Sequence, residues 1–344
     1  MKEKMKVMIL TAEDSKRVFR MDQQRLDRAL QRHPDIGDIA AFTITRTSTS
    51  YEDAPGWTEA DHALFYRDVA DKDVILGYMF PLEDFARHAP QVEYIHIIGA
   101  GVEHLLPLDW LPAGARLTNN RGAHGPKTCE YAMMAMLMLG NHIPRLVTAQ
   151  RQSRWDGHFV TLVAGTTALI VGAGKQGAAV AAAAHRLGIR AIGVDPHGDG
   201  KEGFDAIVPP AALHQVLPQA DYVFLTLPAT KKTQRLFGRR EFQAMKPGAG
   251  FVNLCRGSVL DTDALLEALE GGTIGGAVLD VFDQEPLPPE SPLWRAPNLV
   301  MTPHMGCDDE ENYIDRSFDI FFDNLRRLHR GEPLENLVDP AKGY

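Results

Sequence analysis

The stretch Gly172-Ala-Gly174-Lys175-Gln176-Gly177 narrows the folds open to this chain more than any other. It follows the apolar run 168–171 and opens the alanine-rich segment 178–187. A strand, three glycines at that spacing and a helix make the turn of a nucleotide-binding βαβ unit. Gly172 permits the tight turn, Gly174 lets a pyrophosphate approach the backbone, and Gly177 lets helix and strand pack closely. N–H groups at the helix start, around Lys175 and Gln176, then face the phosphates. Asp195 closes the next strand, where a carboxylate accepts both ribose hydroxyls and repels a 2′-phosphate, so NAD is expected over NADP. Pro196 adds no positive charge, and Lys201 is the one nearby cation that would favour NADP.

The rest of the chain repeats the strand–helix alternation. In the first third the apolar runs 6–11, 39–45, 73–78 and 94–98 predict strands. A helix is expected over 14–31, a loop over 46–61 and a long helix over 126–150, with Pro126 in its first turn. The middle of that helix, 131–139, is apolar on all sides and must be buried on more than one face. Its methionines suit a core or a subunit interface better than a cofactor box. Strands are then expected at 189–194, 222–227, 250–254, 276–279 and 299–301. A helix over 261–270 has Asp261 as N-cap and Gly271-Gly272 as its stop. The tail, 310–330, reads as an amphipathic helix that needs a partner surface.

Composition excludes several classes. A net charge of −9 argues against a nucleic-acid or anionic-membrane partner. Cys129, Cys255 and Cys307 make no disulfide framework and no metal-ligand spacing, so a reducing cytoplasm and no metal are expected. The first ten residues do not read as a signal peptide, and 131–139 is too short to span a bilayer.

Ligands of open parallel sheets bind beyond the carboxyl ends of the strands. Several of the expected strands end in polar or rigid residues: Pro228, Cys255-Arg256-Gly257, Asp280 leading on to Glu285-Pro286, and Thr302-Pro303-His304. A guanidinium, a carboxylate and an imidazole therefore share one rim with the nucleotide turn. Hydride transfer to a ketone leaves an alkoxide that needs a proton, which histidine supplies near neutral pH. A carboxylate orients the ring and favours its protonated form. Arginine's planar fork holds a carboxylate and polarises the adjacent carbonyl.

Over residues 165–304 the chain resembles the D-isomer-specific 2-hydroxy-acid dehydrogenases. The matching segments are 172–177, Leu227-Pro228-Ala-Thr230, Asn253-Leu-Cys-Arg256-Gly257, Gly275-Gly-Ala-Val-Leu-Asp280, Glu285-Pro286-Leu and Thr302-Pro303-His304, in the family's order. The resemblance implies Arg256 as binder of the substrate carboxylate and carbonyl, His304 as acid/base and Glu285 as its partner. Lys175, Gln176, Pro228, Thr233, Cys255, Asp280 and His304 join the three glycines and Asp195 as expected cofactor contacts. Gly99-Ala-Gly101-Val102 resembles the family's carboxylate-binding loop, so Gly101 and Val102 are expected to bind substrate by their N–H groups. The strand end Gly77-Tyr78-Met79-Phe80 and the loop carrying Trp57 are expected to give the pocket aromatic walls, with Trp57 able to swing away. That end lacks a second cation for a distal phosphate; Arg67 and Arg87 are the nearest.

Three features depart from the family pattern. Cys255 stands where a smaller or branched residue is usual, and it is read, like Cys307, as packing rather than a nucleophile. The stretch His124-Gly-Pro-Lys-Thr-Cys-Glu130 is less typical, which bears on the nicotinamide face.

The expected fold class is α/β, with two doubly wound parallel-sheet domains. A Rossmann dinucleotide-binding domain, 119–308, is inserted into a discontinuous flavodoxin-like substrate domain, 1–118 and 309–344. Reaction is expected in the cleft between them, on a small 2-keto or 2-hydroxy acid, by a homodimer formed through the apolar helix. Two other readings share this fold: an NAD-sensing corepressor-like binding protein and a phosphite dehydrogenase. A formate dehydrogenase would pair the histidine with Gln, against Glu285 here.

Overall fold

The computed structural model describes residues 3–51, 56–198 and 203–340. The chain runs through β1 (Met5–Ala12), α1 (Gln23–Arg32), α2 (Ile36–Ile39), β2 (Ala40–Thr47), α3 (Glu59–Val69), β3 (Val74–Gly77), α4 (Phe85–His88), β4 (Tyr94–Ile97) and β5 (Arg116–Thr118). It continues as α5 (Gly125–Gly140), α6 (Ile143–Arg151), β6 (Thr167–Val171), α7 (Lys175–Arg186), β7 (Arg190–Val194), β8 (Ala206–Val208) and α8 (Leu213–Val216). Then come β9 (Tyr222–Leu225), α9 (Arg239–Ala244), β10 (Gly250–Asn253), α10 (Thr262–Glu270), β11 (Gly276–Leu279), β12 (Leu299–Met301) and α11 (Tyr313–Arg330). These elements form two compact units, Met1–Ala123 with Asp309–Tyr344, and His124–Asp308.

The first unit holds a five-stranded parallel sheet in the order β2-β1-β3-β4-β5, the flavodoxin-like arrangement. Alternate residues of its central strands serve opposite cores. Val7, Ile9, Val74 and Leu76 pack with α1 and with Phe318, Phe321 and Phe322 of α11. Met8, Leu10, Ile75, Ile95 and Ile97 pack on the other face with Phe65, Phe80 and Phe85. Burial on both faces is why these strands are apolar runs rather than alternating patterns. The partner surface that the tail helix requires is thus this sheet. Residues 119–123 cluster here too, although the sequence reading opens the nucleotide-binding domain at Asn119: Asn120 Nδ2 donates to Ile98 O and to Ser317 Oγ, at 3.0 and 2.8 Å.

The second unit holds seven parallel strands in the order β12-β11-β10-β9-β6-β7-β8, which is the Rossmann order with one added strand. Strand order reverses between β6 and β9, beside the glycine turn, where such sheets bind ligands. One face is covered by Leu213, Leu217, Phe242, Leu265 and Leu269, the other by α5 and α7.

Several expected elements differ. The helix expected over 14–31 is a short 3₁₀ turn, Arg17–Phe19, followed by α1, because Asp22 caps α1 by accepting from Arg25 N at 3.0 Å. The loop expected over 46–61 is shorter: β2 runs to Thr47, and a Thr58–Asp61 capping box starts α3. The long helix expected over 126–150 is two helices. His142 takes a left-handed φ of 54°, and Pro144 sits in the first turn of α6, which restarts the helix. One face of α5, with Ala132, Ala135, Met136 and Leu139, is buried, but Met134 and Leu137 are exposed within this chain.

Candidate active site

The nucleotide turn itself demands glycine at two of the three positions, Gly172 and Gly177. Gly172 has φ 110°, and a Cβ there would lie 2.8 Å from Thr226 O. A Cβ on Gly177 would lie 2.1 Å from Gly172 O, so only glycine lets α7 seat on β6. At Gly174 a Cβ would meet nothing within 4 Å, which is open space over the turn. The first intrahelical bond of α7 is Ala178 N to Gly174 O. The N–H groups of Lys175, Gln176 and Gly177 therefore point out of the helix start, a ready anion site. Asp195, at the end of β7, accepts from Ala173 N at 3.2 Å and His197 N at 2.9 Å, which fixes its carboxylate beside the turn. Open backbone for a pyrophosphate and a carboxylate for a ribose fit a nicotinamide dinucleotide. Lys201 lies outside the described residues.

The other expected contacts lie on the same strand ends. Gln176 Nε2 donates to Leu254 O at 2.9 Å, tying α7 to the end of β10. Thr233 Oγ1 donates to Pro228 O at 2.7 Å, bracing the loop after β9. Cys255 is buried and its Sγ donates to Asn253 Oδ1 at 3.1 Å. Burial pushes the Cys255 and Cys307 thiols up to about 11, away from the thiolate that a nucleophile needs.

The reactive side chains follow. Arg256 Nη1 donates to Cys255 O at 2.7 Å. Behind it, a Cβ on Gly257 would lie 1.9 Å from Phe282 C, so glycine lets the two loops touch backbone to backbone. The second of these loops carries Glu285. Its Oε1 accepts from Phe282 N at 2.8 Å, and its Oε2 meets His304 Nδ1 at 2.6 Å. His304 is a non-glycine residue with φ 48°, a conformation that costs about 1–3 kcal/mol and persists only where its surroundings hold it. Asp280, at the end of β11, supplies that hold. Its O accepts from His304 N at 2.8 Å, and its carboxylate accepts from Thr302 Oγ1 at 2.5 Å, Met305 N at 3.1 Å and Gly306 N at 2.9 Å. Burial holds the Asp280 carboxyl above the usual carboxylate range, with these donors offsetting part of the rise. Asp280 was expected as a cofactor contact; what the structure displays is its grip on the His304 turn.

The first unit has its own strand-end cluster. A Cβ on Gly99 would lie 2.6 Å from Tyr78 Cε2, so the half-exposed Tyr78 ring lies over that glycine. Four donors hold the carbonyls of this loop: Asn119 Nδ2 to Ala100 O at 2.9 Å, Asn120 N to Gly99 O at 2.9 Å, and both Asn120 Nδ2, at 3.0 Å, and the Tyr313 hydroxyl to Ile98 O. The aromatic wall is narrower than expected. Phe80 is fully buried against Phe65, Phe85 and Trp110 and cannot line a pocket. Trp57 is held by Nε1 donating to Thr49 O at 3.0 Å and by edge contacts with Tyr51 and His62, so it is not a free gate. Asn119, Asn120 and Tyr131 were given no site role by the sequence reading; the Asn-Asn pair was the visible signal for the first two, but the short strand Arg116–Thr118 before it was not expected.

Comparison with known proteins agrees with this geometry. The family model for the D-isomer specific 2-hydroxyacid dehydrogenase NAD binding domain matches residues 133–306. A glyoxylate/hydroxypyruvate reductase B of Pectobacterium atrosepticum is 33% identical over 291 residues, covering 82% of this chain and 90% of that protein. A crystal structure of a D-isomer specific 2-hydroxyacid dehydrogenase from Xanthobacter autotrophicus Py2, in complex with NADPH and MES, superposes with TM-score 0.79 at 27% identity, covering 98% of this chain and 99% of that one. An NADPH-dependent glyoxylate/hydroxypyruvate reductase from Sinorhizobium meliloti gives 0.77 at 26% identity, covering 98% and 100%. The chain belongs to the D-isomer-specific 2-hydroxyacid dehydrogenase family. It is an oxidoreductase acting on CH–OH donors, with a nicotinamide dinucleotide cofactor and a small hydroxy or keto acid substrate. Among the described residues no helix is long and apolar enough to cross a membrane.

Proposed function

We propose that this enzyme reduces a short 2-keto acid of the glyoxylate or hydroxypyruvate class to its D-2-hydroxy acid, using NADH. The observation that carries the reading is the His304–Glu285 contact. A carboxylate on Nδ1 leaves Nε2 as the atom that gives up a proton. When bound, the reduced nicotinamide supplies the hydride. His304 Nε2 protonates the alkoxide oxygen as it forms, and Glu285 stabilises the imidazolium before that transfer. Arg256 holds the substrate carboxylate with its fork and polarises the carbonyl. In the first unit, the N–H groups of Gly101 and Val102 suit a carboxylate oxygen, and Tyr78 and Trp57 favour a small, partly apolar side chain. Arg67 is exposed and paired with Asp68, and Arg87 is exposed, so a phosphorylated substrate is disfavoured.

The fixed carboxylate of Asp195 supports NAD over NADP. The exposed Met134, Leu137, Trp155, Phe159 and Leu162 support a homodimer, since a second copy would cover them. Three free cysteines support a reducing cytoplasm. The deciding measurement is kcat/KM for NADH and NADPH across glyoxylate, hydroxypyruvate, phenylpyruvate and phosphohydroxypyruvate. Preference for NADPH overturns the cofactor assignment, and a first rank for the phosphorylated acid overturns the pocket. Asp195→Ser should narrow the gap between the nucleotides, and light scattering at micromolar concentration should give twice the chain mass.

A further inference from the structure

Tyr131 lies on α5, and two of its contacts converge on one turn. Its hydroxyl is 2.7 Å from Thr302 Oγ1. Thr302 Oγ1 lies 2.5 Å from the Asp280 carboxylate, which also receives the N–H groups of Met305 and Gly306. Those backbone donors cannot reverse, so the carboxylate is the acceptor and the threonine proton points to it. The Tyr131 hydroxyl must then donate to Thr302. The bonds run one way, from phenol to threonine to carboxylate, which is the arrangement in which each polarises the next. Burial holds the phenol well above its ordinary range, so it remains a donor at any working pH.

The second contact is steric. A Cβ on Gly306 would lie 2.3 Å from Tyr131 Cε2 and 2.5 Å from its Cδ2, so one edge of the ring fills the space beside the Gly306 backbone. One side chain therefore grips both ends of the segment 302–306. His304 stands in the middle in its left-handed conformation, its N–H tied to Asp280 O. Such a backbone holds only when its neighbours over-determine it.

We propose that Tyr131 is a positioning residue for His304, acting through the turn it grips at Thr302 and Gly306. The inference rests on His304 being the proton donor of the proposed reaction. Tyr131→Phe keeps the ring and removes the hydroxyl. Its kcat for NADH-dependent glyoxylate reduction should fall about ten-fold, with the KM for glyoxylate and the affinity for NADH within two-fold of wild type, because misaiming a proton donor weakens the transition state rather than the ground state. Thr302→Val breaks the same line of bonds, so the double variant should be little worse than Thr302→Val alone. A third arm needs no turnover. The imidazole resonance of His304, assigned by its loss in His304→Gln, should broaden in Tyr131→Phe through motion of the turn. Wild-type kcat in Tyr131→Phe, effects that multiply in the double variant, or an unchanged His304 resonance would each overturn the role. If wild-type protein reduces no 2-keto acid, the proposed reaction fails instead, and the resonance still decides whether Tyr131 holds the turn.

Discussion

At the carboxyl ends of β6, β10, β11 and β12 the second unit presents glycine-turn N–H groups, a guanidinium, a carboxylate and an imidazole. At those of β3 and β4 the first unit presents a tyrosine ring and a glycine loop held by two asparagines and a tyrosine. Both sheets are parallel and doubly wound, and both are built on apolar strands buried on two faces. The difference lies in what each rim can do. Groups that carry charge or a proton gather in the second unit, where backbone contact at Gly257 and the Asp280 grip fix them. The first unit's rim is a glycine loop under an aromatic ring. Chemistry should therefore fail on single side-chain changes in the second unit, while the first should respond through substrate affinity.

The sharpest way to break that contrast is His304→Gln. It removes the proton donor and leaves the glycine turn and Asp195 untouched. Turnover should fall by about 10²–10⁴-fold, while NADH binding, followed by fluorescence titration, stays as in the parent. A loss of similar size in Tyr78→Phe would show that the first unit also carries the chemistry.

Arg256→Lys comes next. A lysine keeps the charge but cannot reproduce a planar fork that grips a carboxylate and polarises a carbonyl. The expected loss is about 10²-fold in kcat/KM for glyoxylate, on the scale of lost alignment. A variant within a few-fold of the parent would make Arg256 a surface ion-pair partner.

Glu285→Gln comes third. The amide preserves a hydrogen bond to Nδ1 but removes the negative charge that faces the ring while it carries the proton it gives to the alkoxide. kcat for glyoxylate reduction should fall about ten-fold, with NADH binding unchanged. Parent-like kcat in the variant would refute the pairing despite the 2.6 Å contact.

The same contrast explains how far the sequence could be read. Gly172, Gly177 and Gly257 are demanded by positive φ or by backbone approach, so the chemistry of the turn imposes the residue and the residue betrays the turn. Asp261 as the cap of α10 is legible for the same reason: its side chain answers a local backbone need. The break after α5 was not, because it depends on a left-handed His142, a residue type that carries no such signal. Phe80 misled in the pocket, since an aromatic side chain at a strand end reads alike whether it lines a cavity or fills a core. Tyr131 was hidden by its apolar neighbours; its hydroxyl matters only because folding brings it to Thr302.

The smallest expected effect tests the first unit at the base of its Trp57 loop. Asp61 is buried and accepts from Ser48 N at 2.7 Å, Ser48 Oγ at 2.6 Å, Thr58 N at 2.9 Å and Thr58 Oγ1 at 2.7 Å. These donors, the Ser48 hydroxyl foremost, hold its carboxyl well below the usual carboxylate range despite burial. Asp61→Asn turns one acceptor oxygen into a donor that faces other donors, which should cost about 1–3 kcal/mol of stability. The folded-state value is depressed, so the stabilisation is present in full above the unfolded carboxylate's pKa of about 3.9 and is lost as pH falls through the folded value. The gap in melting temperature between variant and parent should thus be full at pH 7 and shrink as the pH drops below about 4. Because Thr58 follows Trp57 directly, the same change should loosen the tryptophan. If Trp57 bounds the substrate side chain, KM for phenylpyruvate should change while kcat for glyoxylate holds. A melting gap with no change in either constant would leave Trp57 as core packing and confine substrate recognition in this unit to Tyr78 and the glycine loop.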